Sequence, residues 1–494
     1  MSTTPLHPTN GQPIVFRNGI VLTMDDSHTA YQDADVLVIG ETIAEVGPNL
    51  AVPEGTFEID AKRGIIMPGM VDTHRHMWQS AMRAYGADWT LTQYFVWYYL
   101  QHGKHFRPQD TWAGNAISAL DAIESGITTT VDWSHGLRSV EHGEAALDAL
   151  VSSPGRFVLG FGNIFAGPWE WSIDPGYRAL IEQAKRDSRL YGVQLAFDVT
   201  GDPAFPERGA FESARELGLS VTTHAGVWGA TNDDGIRLMY ENGFMREDTV
   251  YVHAATLSED SYQRIAATGG SVSLATESEQ SCGQGYPPSY ALRAHNIPVS
   301  LSVDTSVWFS ADLFTAMRAT LGADRSLAHL KAHAAGQTVT HSHLRAEQVV
   351  DWSTRGGAKA LGKDAEIGSL VKGKRADVVL IKNDDSPTMT PLINPYGHVV
   401  MQANRGDVHT VLVNGTVKKF ANRLVGGDLA SVRAKLEDTV SYLQGKLGDE
   451  AWKQGMNPDI PETRVLENPY QYSDYTSAST HTAHEAAEKA TEKE

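Results

Sequence analysis

Cysteine is almost absent from this chain, since Cys282 is the only one among 494 residues. A single thiol forms no intrachain disulfide, and zinc or iron–sulfur sites built from cysteine clusters are excluded. The segment from Met1 to Asn10 lacks the basic and apolar regions of a secretory signal, and no run of about eighteen apolar residues follows it. We therefore expect a cytoplasmic protein.

Positive charge is also scarce, because 41 Lys and Arg stand against 60 Asp and Glu and leave a formal net charge of -19. A surface of this sign repels nucleic acid backbones and anionic membranes, so neither is an expected partner. Hydrophobic residues make up 41% of the chain, which is enough for a large core and excludes disorder for most of its length.

The middle of the chain repeats a short apolar run, a polar loop and a helical stretch rich in Ala and Leu. Eight such runs alternating with helices predict a (β/α)8 barrel, whose parallel strands are buried on both faces. The runs are Met70–Asp72, Thr128–Asp132, Phe157–Gly162, Val193–Phe197, Ser220–Thr223, Val250–Val252, Ser271–Leu274 and Val299–Val303. An open doubly wound sheet is the alternative, but no Gly-x-Gly-x-x-Gly motif or P-loop follows any run.

Short alternating runs at both ends of the chain predict a small β-sandwich assembled from the two ends. Asn18-Gly19 predicts a hairpin turn of type I′, and the same pair recurs at Asn414-Gly415. The expected division is the first part of the sandwich (1–65), the barrel (66–363), the second part of the sandwich (364–424), a helical segment (425–466) and a polar tail without a packed core (467–494).

His74 and His76 follow the first apolar run of the barrel. Residues i and i+2 of a strand point to the same face, so both imidazoles would project together while Arg75 points the other way. On its own the pair is weak evidence for a metal site, because the chain contains 19 His.

Three further residues with metal-ligating side chains, His224, His253 and Asp304, end other predicted strands. The carboxyl ends of barrel strands form the rim where barrel enzymes build their sites. Neutral imidazoles and a carboxylate suit a hydrolytic divalent metal, which lowers the pKa of bound water to roughly 7. His253 is the candidate for moving the proton of that water, since an imidazole pKa of about 6.5 suits both taking and giving a proton.

Together these motifs resemble the amidohydrolase superfamily, in the mononuclear branch with cytosine and guanine deaminases, adenosylhomocysteine deaminase-like proteins and triazine and phenylurea hydrolases. The resemblance runs from about Phe16 to Phe420 and includes the segment Ile367–Asp377, which looks like the return of that branch into its β-sandwich. It implies a small-molecule substrate and, since members of that family commonly form oligomers, a homo-oligomer.

The resemblance also implies roles for single residues. His74, His76, His224 and Asp304 would hold one divalent metal, usually zinc or iron, while His253 and Asp304 would move protons. A second metal is not expected, because Tyr191–Gly201 contains no lysine to bridge it. Imidazole ligands suit cobalt and nickel as well, so the metal is not fixed and zinc is the first expectation.

One position departs from the deaminases of that branch, which commonly carry Glu three residues after the fifth-strand His. Here that residue is Val227. Without the acid, we expect attack on an already electrophilic carbon, as in a urea, amide or carbamate of a small ring-containing molecule. Glu277 and Glu279 are candidates for a replacement acid, although solvated loop carboxylates fit the same pattern.

Aromatic residues are dense after the first barrel strand. Trp78 and Trp89 are candidates for the wall of a substrate pocket, since ligand sites are mostly apolar. Gln79 and Trp308 are further candidates from their position near the rim. The stretch Tyr94–Leu100 also fits a buried helical face or a contact between subunits.

Two alternatives stay open. The first is an aminohydrolase or chlorohydrolase that acts on a purine, pyrimidine, pterin or triazine ring. The second is a catalytically silent amidohydrolase-like scaffold, against which the presence of all five metal and proton-transfer candidates counts.

Overall fold

The computed structural model describes residues 7–167, 170–227 and 230–460. The polar tail expected at 467–494 lies outside these residues. In chain order the strands are β1 (Ile14–Leu22), β2 (Ala30–Ile39), β3 (Thr42–Gly47), β4 (Phe57–Asp60), β5 (Ile65–Pro68), β6 (Met70–Arg75), β7 (Ile127–Ser134), β8 (Arg156–Phe161), β9 (Gly192–Ala196), β10 (Ser220–Ala225), β11 (Val250–His253), β12 (Ser271–Leu274), β13 (Val299–Leu301), β14 (Val378–Ile381), β15 (Val408–Val413), β16 (Thr416–Phe420) and β17 (Arg423–Leu424).

The α-helices are α1 (Leu91–Tyr94), α2 (Pro108–Glu124), α3 (Val140–Ser152), α4 (Glu170–Ile173), α5 (Pro175–Arg186), α6 (Arg208–Leu217), α7 (Ala230–Glu241), α8 (Glu259–Thr268), α9 (Thr276–Ser281), α10 (Ser289–Ala294), α11 (Leu313–Ala334), α12 (Ala346–Trp352), α13 (Arg355–Ala360), α14 (Pro395–Met401), α15 (Leu429–Leu447) and α16 (Asp449–Gly455). A π-helix spans Phe95–His102. No helix in the described part of the chain is both long and apolar enough to cross a membrane.

Strands β6 to β13 form a parallel sheet in sequence order, and each coincides with one of the eight predicted apolar runs. The first and last strands meet where the Asp304 amide donates to the His74 carbonyl (3.1 Å) and the His76 amide donates to the Asp304 carbonyl (2.8 Å). The (β/α)8 barrel is therefore confirmed, and its closure runs through the chain segments that carry three candidate ligands.

Hydroxyl groups fill part of the barrel interior beneath that closure. Thr73 Oγ1 lies 2.7 Å from Ser273 Oγ and 2.8 Å from Ser300 Oγ. Arg75 points away from them and is buried, where it donates to Asp72 (2.9 Å) and to the carbonyl of Ala311 (2.6 Å). The alternation expected for residues 74–76 of a strand is therefore present.

The remaining nine strands form the predicted β-sandwich, with β17-β16-β15-β14-β5-β1-β2-β3 in order and β4 beside β1. Its core joins residues from both ends of the chain, such as Phe16 and Val378. Because β5 pairs with β1 and β14, Ile65–Pro68 belongs to this sheet. The barrel therefore begins at Met70 rather than at residue 66.

The two Asn-Gly pairs behave differently. Asn414 (φ 48°) and Gly415 (φ 69°) form a tight hairpin turn between β15 and β16, as predicted. The hairpin predicted at Asn18-Gly19 is wrong, because β1 runs continuously through it with a register irregularity. The Ile66 side chain fills the space beside Gly19, where a Cβ atom would lie 2.2 Å from Ile66 Cδ1.

The C-terminal helices cover the aromatic segment that follows β6. Helix α15 packs on α2, and α16 receives hydrogen bonds on its backbone carbonyls from Tyr85 (to Trp452, 2.7 Å) and Trp89 (to Gly455, 2.9 Å). The aromatic residues are therefore largely buried by their own chain. The expectation of a homo-oligomer stays a prediction.

Candidate metal centre

Strand β6 brings the first two candidate ligands together. His74 lies near the C-terminal end of β6, and His76 directly follows the strand. Their ring centroids are 4.6 Å apart. Both side chains are buried, His74 completely. The i, i+2 spacing in the sequence therefore produces the shared face that it predicted.

Strands β10, β11 and β13 add the other candidates. Ligand atoms of His74, His76 and His224 lie within 4.8 Å of one another, and so do those of His74, His253 and Asp304. Asp304 Oδ1 is 3.5 Å from His74 Nε2 and 3.4 Å from His76 Nε2. The five side chains thus form two overlapping triads that share His74.

Hydrogen bonds on the outer side of two imidazoles fix their orientation. His76 Nδ1 donates to the Trp133 carbonyl (2.9 Å), and His224 Nδ1 donates to Asp198 Oδ1 (2.6 Å). The Nε2 atoms of both rings are then left free of protons and available as ligands. Carbonyl and carboxylate partners of this kind are what metal-ligating histidines usually have behind them.

His74 supplies the test of whether a metal fits. Neither of its ring nitrogens has a hydrogen-bond partner among the described residues, although the ring is fully buried. Leaving a buried polar group unpaired costs about 1–3 kcal/mol, so such a group calls for an explanation. A divalent cation beside His74 Nε2 would satisfy it, and three imidazoles with one carboxylate are a donor set that zinc accepts.

The protonation states also suit a metal. Burial lowers the pKa of His74 well below its usual value and that of His76 to about 4. Burial works to raise the pKa of Asp304, but the contact with His74 Nε2 at 3.5 Å and the nearby imidazoles outweigh it and lower the pKa. Two neutral imidazoles and a carboxylate therefore stand ready at neutral pH without releasing protons first.

His224 differs from these two histidines. Burial works against its charged form, but the negative charge of Asp198 and their hydrogen bond raise the pKa of His224. The same pair lowers the pKa of Asp198 against the effect of burial. Asp198 is therefore a carboxylate, and it accepts the hydrogen bond that the Nδ1–H group of His224 donates.

Backbone strain marks two of the site residues. His253 has φ 70° and Asp304 has φ 58°, in the left-handed region that residues with a Cβ atom seldom adopt. Strained backbone of this kind concentrates at functional sites, where the surrounding structure maintains it. Here it turns both side chains from their strand ends toward the centre of the barrel mouth.

A cavity of about 260 Å³ opens beside these residues. Four aromatic rings line it, from Tyr94, Phe95, Tyr99 and Trp308. Aliphatic side chains, Val227 among them, and the polar groups of Asp198 and Gln284 complete the wall. The volume lies just below the range of about 300–1,000 Å³ for sites of drug-sized ligands, so the cavity suits a small, largely apolar molecule.

The predicted substrate-binding residues fall into two groups. Trp308 lines the cavity, whereas Trp78, Gln79 and Trp89 are buried behind the lining described for it. Trp78 packs against Tyr98 and Phe106, and Gln79 donates to the hydroxyl of Tyr94 (2.7 Å). Gln79 therefore reaches the cavity only through Tyr94, and the two tryptophans contribute packing.

Neither of the predicted replacement acids lines the cavity as described. Glu277 accepts a hydrogen bond from the Ser310 hydroxyl (2.6 Å), and Glu279 lies behind His253, with Oε1 3.4 Å from His253 Nδ1. Burial raises the pKa of both carboxyl groups. A substrate in the cavity would meet His253 before it met Glu279.

Sequence reasoning missed Asp198, Tyr94 and Gln284 as residues of the cavity wall. Asp198 carried a usable signal, because it follows β9 by two residues and thus stands at a strand end like the other site residues. Tyr94 and Gln284 lie beyond strand ends, in segments whose path depends on packing. No local pattern marks them.

Comparison with known proteins agrees with this architecture. The profile of the amidohydrolase family matches residues 65–418. A 5'-deoxyadenosine deaminase from Methanosarcina barkeri is 26% identical over 420 residues, which cover 82% of this chain and 92% of that protein. A 5-methylthioadenosine/S-adenosylhomocysteine deaminase from Desulforudis audaxviator is 27% identical over 451 residues, covering 87% of this chain and 99% of that protein.

Two solved structures share the fold. An adenosine deaminase from Xanthomonas campestris with bound zinc superposes with a TM-score of 0.73 at 21% identity, covering 89% of this chain and 100% of that one. An atrazine chlorohydrolase from Arthrobacter aurescens complexed with zinc gives 0.70 at 22% identity, covering 87% and 100%. The family match spans most of the chain and includes every metal-ligand candidate, so the chain belongs to the amidohydrolase family and is a hydrolase that acts on carbon–nitrogen bonds.

Proposed function

We propose that the protein hydrolyses a carbon–nitrogen bond at the carbonyl-type carbon of a urea, amide or carbamate, in a small molecule that carries a ring. The observation that carries the proposal is the cavity wall beside His224, where Val227 stands. The two carboxyl groups that line the cavity, Asp198 and Asp304, have lowered pKa values, so no protonated acid faces the substrate position in the described residues. Protonating a ring nitrogen before attack would need such an acid, whereas a carbonyl carbon is electrophilic already.

The metal centre supplies the activation. His74, His76, His224 and Asp304 would hold a divalent cation, for which zinc is the first candidate, and that cation would contribute Lewis acidity toward water and the substrate carbonyl. Asp304 would keep its carboxylate form throughout the approach of water, in keeping with its lowered pKa.

Proton transfer is assigned to His253, which lies beside the metal centre. His253 Nε2 would take a proton from the attacking water and return it to the leaving nitrogen as the carbon–nitrogen bond breaks. General acid–base catalysis of this kind contributes about 10²–10⁴-fold. The rings of Tyr94, Phe95 and Trp308 would hold the substrate ring and keep bulk water out of the cavity.

A second candidate function is removal of an amino group from an adenosine-like ring. The curated relatives favour it, because two of them are named deaminases and this chain covers at least 92% of each. In that reaction Asp198, a carboxylate on the cavity wall, would accept a hydrogen bond from the substrate rather than protonate it.

A substrate panel separates the two functions. Zinc-loaded protein would be incubated with phenylurea, an anilide, an aryl carbamate, 5'-deoxyadenosine, 5-methylthioadenosine and atrazine, and the released amine, ammonia and chloride would be measured. We expect amine release from the first three compounds. Ammonia from the nucleosides alone would replace the proposal with the second function, and a protein that takes up no metal would indicate a silent scaffold.

A further inference from the structure

Helix α9 places a buried carboxylate directly behind His253. Glu279 is fully buried, and its Oε1 accepts a hydrogen bond from the Ala275 amide (2.8 Å) and lies 3.4 Å from His253 Nδ1. The other oxygen, Oε2, is buried without a hydrogen-bond partner in the part of the chain that is described. Burying a carboxylate in this state costs free energy unless a positive charge forms beside it.

The opposite side of the His253 ring faces an amide whose orientation is determined. The Ser278 hydroxyl donates to Gln284 Oε1 (2.9 Å), so the NH2 end of the Gln284 side chain points at His253 Nε2, 3.4 Å away. An NH2 group only donates, so the nitrogen that it faces must carry a lone pair.

Both contacts require the same form of the imidazole. As a carboxylate Glu279 only accepts, so Nδ1 must carry the proton that it donates to Oε1, whereas Gln284 requires Nε2 to be without a proton. The two residues come from α9 and the turn after it, and they contact the same ring on its two nitrogens. The arrangement selects one tautomer and one orientation of His253.

We propose that Glu279 and Gln284 are positioning residues that hold His253 with its proton on Nδ1 and with Nε2 bare toward the cavity. This deepens the proposed function and rests on it. When Nε2 takes a proton from water, the ring becomes an imidazolium, and its Nδ1 proton stays on the ring and is donated in a hydrogen bond to Glu279. When the carbon–nitrogen bond breaks, the Nε2 proton passes to the leaving nitrogen and the neutral tautomer returns.

The proposal accounts for the unpaired oxygen of Glu279. Burial raises the pKa of this carboxyl group, which means that its charge is costly in the resting state. A positive charge on His253 offsets that cost only after proton transfer. Glu279 therefore stabilises the charged ring more than the neutral ring, which is the condition for an interaction to accelerate a step.

The experiment compares the wild type with Glu279→Gln in the zinc-loaded protein. Nitrogen-15 NMR of selectively labelled histidine, assigned with the His253→Gln variant, reports which nitrogen of His253 carries the proton. Zinc content and, with a substrate from the panel above, kcat and KM are measured on the same samples. Gln280→Glu is the control, since it exchanges the same two residue types one position along α9, where the side chain is exposed.

We expect the wild-type proton on Nδ1. In Glu279→Gln the amide oxygen would keep the Oε1 position, because the Ala275 amide donates to it, so the proton would stay on Nδ1 while the negative charge behind the ring is lost. We expect kcat to fall by about 10²–10⁴-fold with KM and zinc content unchanged. Gln280→Glu should match the wild type in all four measurements.

A wild-type proton on Nε2 would overturn the proposal without any variant, even if Glu279→Gln did not fold. An unchanged kcat in Glu279→Gln, or a loss of zinc, would overturn it as well, since the residue would then act elsewhere. If no compound of the panel were turned over, the proposed function would fail, while the NMR result would still decide the positioning of His253.

Discussion

Two buried polar clusters lie at opposite ends of the barrel, and they are completed in different ways. At the entry of β8, Arg156 donates to Asp377, to Asn414 and to Thr129 Oγ1, and so ties the barrel to the sandwich. At the carboxyl ends of the strands, His74 has no hydrogen-bond partner among the described residues. The polar groups of the first cluster are paired with other groups of the chain, whereas His74 in the second cluster is not.

The difference separates structural from functional polar groups. Arg156 and Asp377 are 5% and 3% exposed, and their buried charges are matched within the cluster. The imidazoles of His74 and His76 in the metal centre are as deeply buried but carry unused lone pairs. A buried group that is left unpaired weakens the fold, so its presence points to a ligand that completes it. Substitutions in the two clusters should therefore fail in different ways.

The largest effect is expected from His74→Ala. Both triads of the centre include His74, so the variant should retain no metal and no activity while still folding. Metal analysis after gel filtration, together with circular dichroism, measures both. The exposed His341→Ala is the control and should keep its metal. A His74→Ala protein with a full metal complement would contradict the assignment of the centre.

His253→Ala should separate proton transfer from metal binding. The four ligand candidates stay in place, so metal content should equal that of the wild type, whereas kcat should fall by about 10²–10⁴-fold. Kinetics on the best substrate of the panel and metal analysis of the same preparation test this. Near-normal turnover would show that another group carries the proton, and loss of metal would make His253 a ligand.

Asp377→Ala should act on stability alone. Removing one partner of a buried ion pair leaves Arg156 uncompensated, which typically costs about 3–5 kcal/mol in the free energy of unfolding. The metal content of the folded fraction should not change. Asp384→Ala is the control, because the Lys62–Asp384 pair is exposed and such pairs contribute about 0–1 kcal/mol. Urea unfolding measures the stability of both variants, and equal losses would contradict the expectation.

Asp198→Ala should weaken the metal centre without emptying it. Asp198 holds the Nδ1 proton of His224, and loss of such a partner typically lowers metal affinity by 10–100-fold. Asp198→Asn keeps an oxygen that accepts this proton, so its affinity should lie between those of Ala and wild type. Competition with a chelator measures all three. Equal affinities would mean that the carboxylate does not orient His224.

The parts of this architecture that the sequence predicted have one cause in common. Barrel strands are buried on both faces, so they appear as unbroken apolar runs, and the residue that ends each run stands at the rim. This rule was enough to identify His224, His253 and Asp304 as neighbours of His74. It would also have found Asp198, which follows β9 at the same kind of position.

Residues outside the strands depended on contacts that no local pattern shows. Trp89 fits a pocket wall by composition, but α16, more than three hundred residues later in the chain, accepts its hydrogen bond and fixes it as packing. Asn18-Gly19 has the signature of a hairpin turn, but β1 continues through it, and Ile66 of the neighbouring strand β5 packs directly against Gly19. Glu279 and Gln284 meet His253 only because α9 folds back on β11.

The smallest expected effect lies in the sandwich, away from the metal centre. Burial, aided by Lys382, lowers the pKa of His409 to about 4. The unfolded chain takes up a proton near pH 6.5 that the folded chain does not accept until about pH 4, so stability should fall as the pH drops through this window. The loss should stay below about 1.4 kcal/mol per pH unit, the limit for one proton, and solvent screening of the partly exposed ring reduces it further. His409→Gln should reduce the difference between urea unfolding at pH 7 and at pH 5, and an unchanged difference would place the acid sensitivity elsewhere.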